Sequence, residues 1–254
     1  MQILSVRIDP LLPPRDSLRA ALKKAKFIPK ESDIVCVSSK VVSIDEGRAL
    51  PISSVPDKDR LVKKEADLYL EAVQSPYRRR FTITKGHMAS SAGIDESNAD
   101  GHYILYPKNP FKSAKRLRAW IQKEYGLKEI AVIITDSVSL PLRRGAIGFA
   151  LAWDGIDPLR DYRGTKDIFG RTIRVEVSNR IDALAATAVL LMGEGAERTP
   201  VALIRGAKNI VLKNRSSRSD TQLLVKPTDD VFASLLFRKG LKWKRGGEGK
   251  KSSR

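Results

Sequence analysis

Residues 130–137 read Ile-Ala-Val-Ile-Ile-Thr-Asp-Ser, an apolar and mostly β-branched run that stops at a carboxylate and a hydroxyl. Such a run predicts a strand buried on both faces, with its first polar side chains emerging at the carboxyl end, where ligands commonly meet a sheet. Asp136 and Ser137 therefore form a candidate cation or phosphate site. On this stretch alone, Asp136 capping a turn explains the residue equally well.

Working outward, residues 2–8, 33–39, 81–84, 103–106, 149–153, 172–178 and 200–205 are further expected strands. Helices are expected over Ser17–Lys26 with Asp16 as N-cap, Lys58–Val73, Ser113–Tyr125, a segment opened by Asn179 and closed at Gly193, and Asp229–Phe237. In the third of these, Ala114, Leu117, Trp120 and Ile121 share the buried face. The mixture predicts an α+β protein of mixed sheets with flanking helices: a body over residues 1–237, which could be two intertwined subdomains, and a flexible basic tail over residues 238–254. A polar loop is expected at Asn214–Thr221, and no repeat of fixed period occurs.

Composition excludes several classes. No apolar run approaches the ~20 residues that span a bilayer, and the amino-terminal residues lack the layout of a secretory signal, so no membrane partner and a cytoplasmic location are expected. The single cysteine, Cys36, sits in an apolar run and reads as a packed thiol, while His87 and His102 offer no zinc spacing. The net charge of +18 invites a nucleic-acid reading. Residues 238–254 supply +7 of it, leaving +11 for the body, and aromatics are not interleaved with the basic runs. Nucleic-acid contact is therefore expected only through the tail, and a nonenzymatic basic nucleic-acid-binding protein stands as the alternative to an enzyme.

Polar loops carry the chemistry. Ser38, Ser39 and Lys40 close the second strand with hydroxyls and an ammonium, suited to phosphate, though Lys40 also fits as an ordinary strand-end lysine. The small residues 89–93 allow close backbone approach and lead into Asp95 and Asn98, spaced for a cation and its nucleotide or for an Asx-rich surface loop. Arg143 and Arg144 beside Gly145, and Arg163 in the dense polar segment 161–171, are candidate anion clamps. A P-loop and a dinucleotide fingerprint are both absent.

In order and spacing, Pro10-Leu11-Leu12, Ser43 with Glu46-Gly47, Ala92-Gly93-Ile94-Asp95-Glu96-Ser97-Asn98, Ile133-Ile134-Thr135-Asp136-Ser137, Asp161-Tyr162-Arg163-Gly164, Asp167 with Gly170-Arg171, and Met192-Gly193 through Pro200-Val201 to Arg205-Gly206 together resemble the coenzyme F420-0:L-glutamate ligase family, the γ-glutamyl ligases of the deazaflavin cofactor. The resemblance runs from about Ile8 to Gly206. It implies a homodimer that binds GTP with Mg²⁺ or Mn²⁺ and joins L-glutamate to a deazaflavin acceptor, or to another carboxylate acceptor, through an acyl phosphate. By the same resemblance, Asp95 and Asp136 ligate metal and Ser137 takes the place of a threonine ligand. Glu194 falls where archaeal members carry a metal-binding glutamine. Leu11, Leu12, Ser39 and Asn98 fall at nucleotide-contacting positions. Arg143, Arg144 and Arg163 are expected to position the anions. The chain departs from the family at Ile44, where the motif carries a lysine that Lys40 could replace, at Lys85, which stands for a histidine, and at Ser139-Leu140, which stands for a Gly-Arg pair.

Overall fold

A computed structural model describes residues 1–71, 79–213 and 223–247. A five-stranded sheet forms its centre, in the order β1 (Gln2–Val6), β12 (Val201–Arg205), β2 (Ile34–Ser38), β8 (Ala131–Ser139) and β9 (Ala146–Asp154). Only β2 and β8 run parallel, and each is fully buried over its first four residues. Alternation sorts the side chains of β8 between two cores. Val132 and Ile134 pack with α1 (Leu18–Lys24), α2 (Ser39–Asp45) and α4 (Pro110–Tyr125), whereas Ala131 and Ile133 pack against α5 (Arg180–Met192). The expected strand buried on both faces is therefore present, and the mixed sheets with flanking helices make the fold α+β.

A register break disturbs this alternation. Opposite the Ile134/Thr135 step of β8, β9 passes from Ala152 to Ala150, so Leu151 is an extra residue. Leu151 and Ala152 both face the α1/α2/α4 side, although adjacent residues of a regular strand alternate.

A second layer lies over α2. α3 (Lys58–Glu65) covers a third core with Tyr103, Leu105 and Ile94, beside a four-stranded sheet ordered β13 (Trp243–Arg245), β4 (Leu68–Leu70), β5 (Phe81–Thr84), β6 (His87–Ser90). β3 (Ala49–Pro51) pairs with β7 (His102–Ile104), and β10 (Leu159–Asp161) with β11 (Val177–Asn179).

Several expectations are corrected. The helix expected to Val73 stops at Glu65, because Leu68–Leu70 is claimed as a strand by β5 on one side and β13 on the other; residues 72–78 lie outside the described residues. Ser17 rather than Asp16 caps α1, its hydroxyl accepting from the Ala20 N–H, while Asp16 holds the preceding turn through the Leu12 and Ser17 amides. Lys40 is not a strand-end residue but lies in α2, a helix that the sequence reading lacks. Of the strand expected at 172–178 only Val177–Asn179 forms, since Thr165 and Gly164 pair instead with Ile173 across a local turn. The last helix shrinks to a 3₁₀ turn at Pro227–Asp229 and α6 (Ala233–Leu236). Trp243–Arg245 of the expected flexible tail is strand β13, fixed by pairing to β4 and by the Lys244–Glu71 ion pair at 2.5 Å. Residues 248–254 and the polar loop at 214–221 lie outside the described residues. No helix among the described residues is long and apolar enough to cross a membrane.

Candidate active site

The carboxyl ends of the parallel neighbours β2 and β8 open into a cleft of about 550 Å³, the position in a sheet where side chains can converge on a ligand. β2 runs directly into α2, which places Ser39 and Lys40 at the mouth. On β8, alternation points Asp136 to the α2 side, where it accepts a hydrogen bond from the Ser39 hydroxyl, and points Ser137 to the α5 side, toward Glu194 just past the helix end. Asp136 also accepts from the Ser137 N–H at 2.7 Å.

The 95–98 turn closes a third side. One oxygen of Asp95 accepts from the N–H groups of Glu96 and Ser97 and from the Ser97 hydroxyl, at 2.7, 2.9 and 2.9 Å. Its other oxygen pairs with the Lys40 ammonium at 2.7 Å, which also donates to the Ser97 carbonyl at 2.6 Å. Asn98 donates to the Gly195 carbonyl at 2.9 Å, joining this turn to the segment after α5. Glu197 folds back over that segment and accepts from the Gly195 N–H at 2.8 Å. Beneath, Gly93 adopts φ +70°, and the Tyr106 ring lies so close that a Cβ there would stand 2.0 Å from it. The Tyr106 hydroxyl meets His87 Nε2 at 3.3 Å.

The electrostatics are those of negative charge held together in a partly dry place. Burial pushes Asp136 up to about 6, against the Ser39 and Ser137 hydrogen bonds that stabilise its charge, and nearby Asp95 pushes in the same direction as burial. Burial also works to raise Asp95, but Lys40 and the Ser97 hydrogen bonds outweigh it and hold that carboxyl below its ordinary value. Glu194 is raised by burial, with Asp95 and Glu197 adding to the effect and Ser137 and Lys40 opposing it. Tyr106 is raised well above the usual phenol range by burial, then by Asp136 and Asp95. Burial lowers His87 to about 4, which keeps it neutral near pH 7.

Leu11, Leu12, Ser39, Lys40, Asp95, Asn98, Asp136, Ser137 and Glu194 thus line one cleft although they come from five separate segments. Arg143, Arg144 and Arg163 do not. The first two lie exposed at the β8–β9 hairpin end, and Arg163 is exposed beyond β10 and clamped by Asp161 at 2.6 Å. None of the three lines the cleft of a single chain, so the expected anion-positioning role draws no support from its geometry. Ile44, at the position of the family's lysine, is buried and contributes an apolar wall. Sequence reasoning missed the site roles of Ser97, Tyr106 and Glu197. The Asp-x-Ser spacing is an available signal for Ser97, whereas Tyr106 and Glu197 reach the cleft only through the fold.

A family model described as F420-0:Gamma-glutamyl ligase matches residues 14–206, which hold every cleft residue discussed above except those of the first turn. The chain belongs to the F420-0:γ-glutamyl ligase family. Its similar relatives include the coenzyme F420:L-glutamate ligase of Methanocaldococcus jannaschii, 34% identical over 223 residues, covering 82% of this chain and 87% of the relative. Those of Halorubrum lacusprofundi and Methanopyrus kandleri are 33% and 29% identical, covering 81% and 90% of this chain and 87% and 98% of theirs. The family is one of ligase enzymes, so the cleft belongs to a catalytic protein.

The cleft's donors fit a hard divalent cation in kind. They are carboxylate and hydroxyl oxygens, and the cation now balancing Asp95 is an ammonium. No three carboxylate, imidazole or thiol side chains among the described residues stand close enough to cage a metal alone. Mg²⁺ on a triphosphate does not require such a cage, because phosphate oxygens and water complete its shell beside the protein oxygens.

Proposed function

We propose that the protein is a GTP- and divalent-metal-dependent ligase that forms an amide between the amine of L-glutamate and a carboxylate of F420-0. The observation that carries this reading is the half-buried Asp136, raised to about 6 and facing Asp95 across a cleft that also presents Lys40 and two serine hydroxyls. A carboxylate kept in such surroundings is poised to gain from a cation more than a solvated one would.

In this reading Asp95, Asp136, Ser137 and Glu194 hold Mg²⁺ or Mn²⁺, which supplies neutralisation of charge on the phosphates. Leu11, Leu12, Ser39, Lys40 and Asn98 bind the nucleotide. Leu11 and Leu12 give an apolar surface for the base, Lys40 gives positive charge, and Asn98 ties the 95–98 turn to Gly195. The acceptor carboxylate oxygen attacks the γ-phosphorus of GTP. The bond from that phosphorus to its bridging oxygen breaks, and GDP leaves with the electron pair. The glutamate amine then attacks the acyl carbon, phosphate departs with the C–O electrons, and the amine loses a proton to leave the amide.

The reading includes a homodimer. Leu142, Ile168, Phe169 and Val175 are exposed on the two projecting hairpins that carry Arg143, Arg144 and Arg163. Burial against a second copy would cover these side chains and bring the three arginines toward the partner's cleft. Sedimentation should give a dimer, and Phe169→Glu should shift it to monomer.

The decisive assay incubates the protein with GTP, Mn²⁺, L-glutamate and F420-0 and reads product mass. One added glutamyl residue together with GDP supports the reading. Phosphate release without that product would instead indicate a related ligase acting on another carboxylate acceptor, and no turnover of GTP in any mixture would overturn the proposal.

A further inference from the structure

Away from the cleft, α1 and α4 lie side by side and run in the same direction. Arg19 sits over the Trp120 ring at 5.8 Å, and one turn further along both helices Lys23 pairs with Glu124 at 2.8 Å. The outer surface of this pair is strongly one-signed. Arg19, Lys23 and Lys24 of α1 and Lys112, Lys115, Arg116 and Lys123 of α4 are all exposed, against Glu124 as the sole carboxylate on either helix. Among the described residues Lys112, Lys115 and Lys123 have no acidic partner, whereas Arg116 is held by Glu46 at 2.6 Å and Lys24 by Asp9 at 2.6 Å.

At one end this surface runs into a groove of about 660 Å³ that shares no lining residue with the catalytic cleft. Arg15, Arg19, Arg48, Lys108 and Arg116 line it, with Asp16, Asp45 and Glu46. All three carboxylates are already engaged. Asp16 accepts from the Leu12 and Ser17 amides, Asp45 from the Leu18 amide, and Glu46 from Arg116 and Ser113. Arg15 and Lys108 have no acidic partner among the described residues, whereas Arg48 is paired with Glu65; Asp16 and Asp45 are bonded to neutral amides and keep their charge, so the lining carries five cations against three carboxylates.

We propose that the α1–α4 face is a nucleic-acid-binding surface that grips a phosphodiester backbone without reading its sequence. The 16 residues of α4 extend about 24 Å, longer than a small anion needs. Lys112, Lys115, Arg116 and Lys123 fall on one side of that helix, the first three within about 5–6 Å of a neighbour and Lys123 two turns beyond Arg116. Ala119 interrupts the row, and there Arg19 of α1 stands alongside, over Trp120. A row of that kind suits a chain that repeats its own negative charge, and release of condensed counterions would drive the association. Arg19 also adds a flat guanidinium against which an unstacked base can lie. A lipid surface is disfavoured because none of the exposed large apolar side chains comes from α1 or α4. This surface is also distinct from the carboxyl-terminal basic segment that the charge distribution first suggests, part of which is fixed in strand β13.

The test is fluorescence anisotropy with a 5′-labelled, mixed-sequence 20-nucleotide RNA. About five phosphate contacts predict a log–log salt slope near −3.5, hence a loss of roughly 100-fold in affinity between 50 and 200 mM KCl. The triple variant K112E/K115E/K123E should weaken binding by at least about 30-fold. The control R238E/K239E/K242E, which removes the same charge from the carboxyl-terminal segment, should stay within about 3-fold of the parent. The neutral set K112Q/K115Q/K123Q should fall between, and circular dichroism verifies that each variant is folded. Glutamate ligation by the α4 variants should be unchanged, so this inference can fail while the catalytic reading stands, and the reverse. Equal weakening by both charge-reversal sets, a salt-insensitive signal, or binding confined to phosphatidylglycerol vesicles in a cosedimentation assay would each overturn it.

Discussion

Replacing Asp136 by Asn separates the electrostatic cost of the candidate site from its use. Burial raises this carboxyl from 3.8 to about 6, roughly two units, and at about 1.4 kcal/mol per unit the ionised form is disfavoured by about 3 kcal/mol. Asp136 is partly open to the cleft, so solvent screening reduces this to about 1–2 kcal/mol. The sign follows from linkage. A carboxyl whose folded value is raised favours the folded state below its unfolded value, and that advantage disappears as pH rises through the folded value. The parent protein in EDTA should therefore lose stability between pH 4 and 7, and D136N should flatten that loss. At pH 7.5 the metal-free variant should melt about 3–6 °C higher than the parent, and near pH 3.5 the two should coincide. Adding Mn²⁺ with GTP should reverse the order, raising the melting point of the parent but not of D136N, and glutamate-dependent GTP turnover should vanish in the variant. A D136N protein less stable than its parent at pH 7.5, or still stabilised by Mn²⁺ and GTP, would refute both the buried-charge account and the metal assignment.

Three further outcomes are expected. Gly93→Ala places a methyl group 2.0 Å from the Tyr106 ring at a φ of +70°, so it should cost at least about 2 kcal/mol in denaturant unfolding and lower activity by moving Tyr106. Arg205→Met leaves the fully buried Asp33 without the two guanidinium bonds it accepts at 2.8 and 2.7 Å; urea titration should show a loss of about 3 kcal/mol, while the KM for nucleotide stays unchanged. Asn98→Ala removes the bond to the Gly195 carbonyl and should raise the KM for GTP by about 5-fold, corresponding to about 1 kcal/mol, with little change in melting temperature.

The legible parts of the fold are those with a long local pattern. The run at 130–137 declares β8, and Asn179, the apolar face from Ile181 to Leu184 and Ala188, and Gly193 mark α5 to within a residue at each end. α2 is not legible. Its seven residues, Ser-Lys-Val-Val-Ser-Ile-Asp, are rich in β-branched side chains that favour strand locally, and packing of Val41, Val42 and Ile44 into the core overrides that preference. The end of α3 is misplaced by spacing alone because Leu68–Leu70 continues a helical pattern while pairing as strand. In the site, short stretches identify Asp95, Asn98, Asp136 and Ser137 as polar groups at turns and strand ends, but their convergence comes only from the ordered set of motifs. The arginines show the opposite limit. A basic side chain beside a glycine states that a loop can hold an anion, not in which direction the hairpin carrying it will project.

The extra residue Leu151 gives β9 two reading phases. Beyond it toward Asp154 the strand keeps step with the core, and before it the strand is offset by one. That offset turns Gly148 toward α5, where any side chain would collide with Val189 and the Ala185 carbonyl, the nearest atom being 2.6 Å from a Cβ. The last turn of α5 can therefore rest directly on the sheet, and with it the Met192–Glu194 rim. Were Leu151 instead paired in regular alternation, every residue before it would change face, and Ile147 or Phe149 would turn into that seat; deleting Leu151 outright would leave Gly148 where it is. A single inserted residue, opposite the step of β8 that precedes Thr135 and Asp136, thus decides which face of β9 meets the helix that ends at the Glu194 rim.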